Sequence, residues 1–125
     1  MSVAPARPRR ILIGYDGSDA AGRALDAAAD LVGYGSTLAV ITVRNGELSP
    51  SVCAEARAQL QRRHVEARYH EPRGEPAEQL VEAARELQAD LVVVGRRDRK
   101  PLWGPLGSVS SVVIRRAHCD VLVVR

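Results

Sequence analysis

The chain of 125 residues has few aromatic side chains: three tyrosines, one tryptophan and no phenylalanine. Its core must therefore be built from aliphatic residues. Cysteine is also scarce, and the only two, Cys53 and Cys119, lack the spacing of a metal-binding pair, so we expect reduced, structural thiols. The three histidines, at positions 64, 70 and 118, are not spaced as metal ligands either.

Long apolar runs are absent as well. None approaches the ~20 residues that span a bilayer, and residues 1–10 carry prolines and arginines instead of an apolar signal segment. We therefore expect a cytoplasmic protein, with residues 1–8 as a flexible tail and residues 9–125 as one domain. The net charge of +3 is modest and does not by itself indicate nucleic-acid binding. Binding of nucleic acid by the basic N-terminal tail is therefore a weak alternative.

Three motifs of competing protein classes are missing from the sequence. The chain has no G-x-x-x-x-G-K-[S/T] phosphate loop and no strand-linked G-x-G-x-x-G. It also lacks the G-x-S-x-G turn that presents a nucleophilic serine. These absences argue against the common nucleotide-hydrolysing, dinucleotide-binding and serine-hydrolase sites, and no catalytic residue is assigned.

What the sequence does contain is a regular alternation of apolar runs and amphipathic segments. Strands are expected at residues 10–15, 37–43, 65–69, 90–95 and 120–125, with a helix between each pair. Such alternation predicts an α/β fold with parallel strands and right-handed crossovers. The third strand is the weakest and partly polar, which is typical of a sheet edge.

The ends of two expected strands carry candidate binding residues. Asp16 follows the first strand and Gly95 ends the fourth, and in an open parallel sheet ligands bind beyond these carboxyl ends. Gly107 or Ser108 opens the fourth helix, whose first N–H groups favour an anion such as phosphate. The alternative is that Ser108 only caps the helix and Gly107 only makes a turn.

Three segments together, residues 11–18, 89–95 and 107–124, resemble the universal stress protein (UspA-like) family, and the similarity extends over residues 10–125. The resemblance implies an open, Rossmann-like five-stranded parallel sheet of order 3-2-1-4-5 with helices on both faces. It also implies a homodimer in which the last strands of two chains pair. In one branch of the family it implies bound ATP or AMP.

The resemblance also implies roles for individual residues. Asp16 would contact the adenosine moiety, and Val43 would make an apolar contact with adenine. Gly95 and Gly107 would be the first and last glycines of a phosphate-binding loop. The candidate cofactor-binding set is completed by Arg97, Ser108, Val109 and Ser110.

One loop departs from the family pattern. Asp98 stands where the pattern has its second glycine, and the segment that follows is one residue short. A carboxylate 4 Å from a phosphate costs roughly 4 kcal/mol at an effective dielectric of about 20. A Mg²⁺ ion bridging Asp98 and the phosphates, or attraction from Arg97 and its basic neighbours, would offset that repulsion. The alternative for this basic run is a solvated loop.

These observations predict an adenine-nucleotide binding protein in stress response or regulation, with at most weak ATP hydrolysis. The altered loop favours an alternative from another class: a dimeric protein-interaction module that does not bind nucleotide. A nucleotidyl-transfer enzyme of related architecture is a third alternative, which the missing catalytic motifs disfavour.

Overall fold

The structure is a computed structural model that describes residues 9–33, 35–44, 51–96 and 108–125. Within them, five strands form one sheet of order β3-β2-β1-β4-β5, in which every pair of neighbours is parallel. This confirms the predicted fold class and strand order. The elements are β1 (Arg10–Gly14), α1 (Asp19–Leu31), β2 (Thr37–Ile41), α2 (Ser51–Arg62), β3 (Arg68–His70), α3 (Pro76–Glu86), β4 (Leu91–Gly95), α4 (Ser108–Arg116) and β5 (Asp120–Val124).

The core consists of two aliphatic layers, one on each face of the sheet. Alternate residues of a strand point to opposite faces, so Ile11 and Ile13 pack toward α1 and α2 while Leu12 packs toward α3 and α4. The interior strand β4, between β1 and β5, is buried on both faces over residues 91–94. This explains why its sequence is a continuous apolar run without polar alternation.

The third strand differs from its expected position. It was predicted at residues 65–69, but the structure places β3 at Arg68–His70. Val65 instead lies just after α2 and closes its C-terminal cap: its N–H donates to the carbonyl of Leu60, and His64 takes a left-handed conformation with φ of 56°. This is the pattern of a helix cap followed by an apolar residue that packs on the helix. The edge position of the strand was predicted correctly.

The crossovers place the starts of the helices at the carboxyl edge of the sheet, because each helix runs back antiparallel to the strands. The side chain of Ser18 caps α1 and accepts from the N–H of Ala21. The side chain of Glu75 caps α3, with Pro76 at its first position. The described helices include none that combines the length and apolarity needed to cross a membrane.

Candidate functional site

The strands β1 and β2 separate at their carboxyl ends. The last hydrogen bond between them joins the N–H of Tyr15 to the carbonyl of Ile41 at 2.9 Å. The regular ladder would continue with the N–H of Val43 donating to the carbonyl of Tyr15. No such bond forms among the described residues. A crevice therefore opens between the two chain segments beyond Ile41.

Val43 presents its backbone to this crevice. Its neighbours in sequence are bonded on the other side, to β3 and the segment after it. Thr42 N–H donates to the carbonyl oxygen of His70 at 2.9 Å, and Arg44 N–H donates to the carbonyl oxygen of Pro72 at 2.7 Å. Because successive residues of a strand point their peptide groups to opposite sides, the N–H and C=O of Val43 face the crevice. The Val43 side chain is buried in the apolar layer toward α3 and α4.

Asp16 lies on the opposite wall of the crevice, in the turn between β1 and α1. Its Oδ1 accepts from the N–H of Ser18 at 3.0 Å, which fixes the carboxylate beside the start of the helix. Gly17 between them has φ of +84°, a conformation that glycine adopts without strain. The turn therefore places an acidic group and the first turn of a helix at the same edge as Val43.

Gly95 has a packing role that the sequence did not indicate. A Cβ atom at this position would lie 2.6 Å from the backbone carbon and oxygen of Ala20 and 2.8 Å from the N of Ala21. The absence of a side chain thus lets the first turn of α1 lie directly against the end of β4. Close approach of a phosphate to Gly95 remains a prediction.

The helix α4 begins at Ser108, as predicted. Ser110 is buried, on the same helix face as the buried Val113, so this part of the helix faces the sheet. Val109 is half-buried and packs against the apolar layer next to α3. The first turn of α4 lies at the carboxyl edge of the sheet, like Asp16 and Val43, because the helix leads back to the start of β5.

The remaining candidates, Arg97, Asp98 and Gly107, lie outside the described residues. The predicted contact of Asp98 with Mg²⁺ therefore stays a sequence-based expectation. In the described part of the chain, no group of three or more histidine, cysteine or acidic side chains is placed to hold a metal ion.

The surroundings of the crevice include polar groups that the sequence analysis did not single out. Burial raises the pKa of Tyr15, and the carboxylates of Glu55 and Asp16 raise it further. The Thr42 hydroxyl is buried and has no hydrogen-bond partner within the described residues. Arg44 pairs with Glu71 at 3.2 Å. No local sequence signal marks these residues, because their proximity depends on the pairing of β2 with β3.

Residues 45–125 match the universal stress protein family. A universal stress protein of Mycobacterium tuberculosis is 30% identical over 139 residues, which covers 93% of this chain and 95% of that protein. Its crystal structure has a TM-score of 0.70 at 32% identity and 98% coverage of both chains.

A second solved structure is described as a universal stress protein in complex with cAMP. It is 31% identical, has a TM-score of 0.83 and covers 96% of this chain and 98% of its own. Universal stress proteins from Synechocystis and Methanocaldococcus jannaschii have higher sequence identity to this chain, 49% and 47%, but the aligned segments are only 53 residues long. Those segments span 34% and 31% of the two relatives.

Proposed function

The chain belongs to the universal stress protein family, and we propose that it binds an adenine nucleotide in the crevice beyond β1, β2 and β4. The observation that carries the proposal is the backbone edge of Val43, which is unpaired among the described residues and whose N–H and C=O face the crevice where β1 turns away. The relative that was solved with cAMP, an adenine nucleotide, supports the choice of ligand.

Adenine fits this edge chemically. It carries a donor, the exocyclic amino group, next to a ring nitrogen that accepts. One residue of an extended strand offers the complementary pair, an N–H and a C=O on the same side. The base would lie against Val43, and the carboxylate of Asp16 across the crevice would accept from the ribose hydroxyl groups.

The phosphates would lie toward the start of α4. The first N–H groups of a helix have no partners within it and carry a partial positive charge that favours anions. Ser108 and Ser110 carry hydroxyl groups in this turn, as does Ser111, and Gly107 and Arg97 precede it in sequence. The assignment of ATP or AMP, and of Mg²⁺ near Asp98, belongs to this proposal.

The test is calorimetric titration with adenosine, AMP, ATP and cAMP, with guanosine as the base control. Mass spectrometry of the freshly purified, denatured protein would identify any nucleotide that co-purifies. Val43→Pro removes the N–H that we propose donates to the base. It leaves the described hydrogen bonds of the fold intact, because none of them uses this N–H. Because this variant loses one neutral hydrogen bond to the base, we expect its adenosine affinity to be roughly twofold to tenfold lower than that of the wild type.

Val43→Ala is the matched control, because it keeps the N–H and removes only side-chain atoms. We expect it to lower thermal stability while adenosine affinity changes less than in Val43→Pro. Absence of adenine-nucleotide binding in the wild-type protein would refute the proposal and favour the alternative, an interaction module that works without nucleotide.

A homodimer in the cytoplasm is the second part of the proposal. Among the described strands β5 pairs with β4 alone and forms an edge of the sheet, and its residue Leu122 is 37% exposed. Unpaired edges of this kind are open to pairing with another strand. Pairing of β5 with its two-fold mate would join the two sheets and cover Leu122.

A further inference from the structure

A charged cluster lies beside Val43, between the end of β2, the end of β3 and the start of α2. Arg44 Nη2 is 3.2 Å from Glu71 Oε1, and about a third of each side chain is exposed. Cys53 lies in the first turn of α2, near Glu71. Burial raises the pKa of its thiol, and Glu71 raises it further. The Arg44–Glu71–Cys53 cluster thus joins three elements next to the base-binding edge.

The cluster lies where the hydrogen-bond ladder between β2 and the segment after β3 is interrupted. Thr42 N–H and Arg44 N–H donate to the carbonyl oxygens of His70 and Pro72, and Gly74 N–H donates to the carbonyl oxygen of Arg44. The rung between the first two would need an N–H at position 72, which proline lacks. On the other side, β1 has already turned away. This stretch of β2 is therefore one backbone hydrogen bond short on the side of β3, and among the described residues Val43 has no backbone bond on the side of β1.

We propose that the Arg44–Glu71 ion pair positions the peptide group of Val43 for the base. The carbonyl of Val43 and the N–H of Arg44 belong to one planar peptide unit. The Arg44 N–H donates to the carbonyl oxygen of Pro72 at 2.7 Å. The Arg44 guanidinium pairs with Glu71, the residue before Pro72. Together these contacts fix the plane of that peptide, and hence the direction in which the Val43 carbonyl faces the crevice. Arg44 and Glu71 are positioning residues that act through Val43, and this inference rests on the proposed function.

A direct role for Arg44, as a cation that attracts phosphates, makes opposite predictions. Direct attraction would strengthen ATP binding when Glu71 loses its charge, and it would leave adenosine binding unchanged. Positioning of Val43 requires that loss of either partner weakens binding, and by the same factor for adenosine and for ATP.

The test is calorimetric titration of Arg44→Gln, Glu71→Gln and the charge-reversed double variant Arg44→Glu/Glu71→Arg with adenosine and with ATP. Each single variant should bind both ligands about twofold to fivefold more weakly, the range expected for an exposed ion pair. The double variant should recover part of the loss. Arg63→Gln is the matched control: it breaks ion pairs with Asp26 and Asp30 at the other end of α2 and should leave both affinities unchanged.

A measurement on the wild-type protein covers the case of a variant that does not fold. Salt screens the exposed ion pair, so about 1 M NaCl should weaken the binding of uncharged adenosine. Equal adenosine affinity in the wild type, in both single variants and at high salt would overturn the inference and leave the proposed function standing. Weaker ATP binding in Arg44→Gln together with stronger ATP binding in Glu71→Gln would overturn it in favour of direct attraction. If the wild type binds neither adenosine nor ATP, the proposed function itself fails, and this inference with it.

Discussion

Gly95 shows how one residue without a side chain can set the distance between two elements. The backbone of Ala20 and Ala21 lies where its Cβ would be, so the contact involves the rigid main chain of α1. A flexible side chain could rotate away from an added methyl group, whereas a helix backbone has to shift as a whole. The glycine therefore couples the end of β4 to the turn that carries Asp16.

At this scale we predict that Gly95→Ala destabilises the protein by ~1–3 kcal/mol, the range for overpacking a close contact. Urea denaturation, monitored by circular dichroism, measures this change in the free energy of unfolding. Gly22→Ala is the matched control: its Cβ would meet only Gln59 Oε1, at 3.8 Å, inside helix α1. There the same substitution should stabilise by about 0.5–1 kcal/mol, because alanine favours the helix interior. Destabilisation by Gly22→Ala and none by Gly95→Ala would contradict the packing role.

At the scale of elements, the start of α1 matters for both stability and the site. Ser18 Oγ accepts from the N–H of Ala21 at 3.1 Å, and the Ser18 N–H donates to Asp16. The serine therefore satisfies one of the unpaired donors of the helix and also holds the carboxylate at the crevice. The cap and the site share one turn of chain.

We predict that Ser18→Ala lowers the free energy of unfolding by about 1 kcal/mol, because the cap is lost while the backbone bond to Asp16 can persist. Thermal or urea denaturation would measure the change. Ser18→Asp keeps an acceptor at the cap position and should retain most of the stability. If the alanine and aspartate variants are equally stable, the Ser18 side chain does not act as a cap.

At the scale of the whole molecule, the two edges of the sheet differ. The β3 edge is a three-residue strand, and the guanidinium of Arg57 lies over the ring of Tyr69, 4.2 Å from its centre. The β5 edge is a five-residue strand with an exposed leucine, next to a helix whose Ile114 is also exposed. Charge and shortness protect an edge from pairing, so β5 is the edge that favours self-association.

We predict that Leu122→Lys converts the proposed dimer into monomers, since a charge at an edge strand opposes pairing with a two-fold mate. Sedimentation velocity of the wild type and the variant measures this. Leu31→Lys is the control: Leu31 is 42% exposed, at the end of α1, and its replacement should leave the assembly unchanged. A wild-type protein that sediments as a monomer at micromolar concentration would refute the dimer.

The alternation of apolar runs and helical faces determined the fold class, and four of the five strands lie within the predicted ranges. Those strands could be predicted because hydrophobic periodicity is a local property of the chain. Val65 was misassigned because an apolar residue after a helix has the same local appearance whether it begins a strand or packs under a helix cap. Only the φ of His64 and the bond to Leu60 distinguish the two.

The residues that the sequence marked at the described part of the site, Asp16, Val43, Gly95 and the start of α4, all lie at the carboxyl edge of the sheet. The sequence determined this: glycines and capping residues mark the strand ends and helix starts, and the family resemblance indicated Val43. Tertiary structure alone decided that the backbone of Val43 faces the crevice, that Gly95 packs on α1, and that Arg44 meets Glu71. Each of these depends on which strands pair and where their ladders end, and residues 27 positions apart in sequence, such as Arg44 and Glu71, meet only after that pairing has formed.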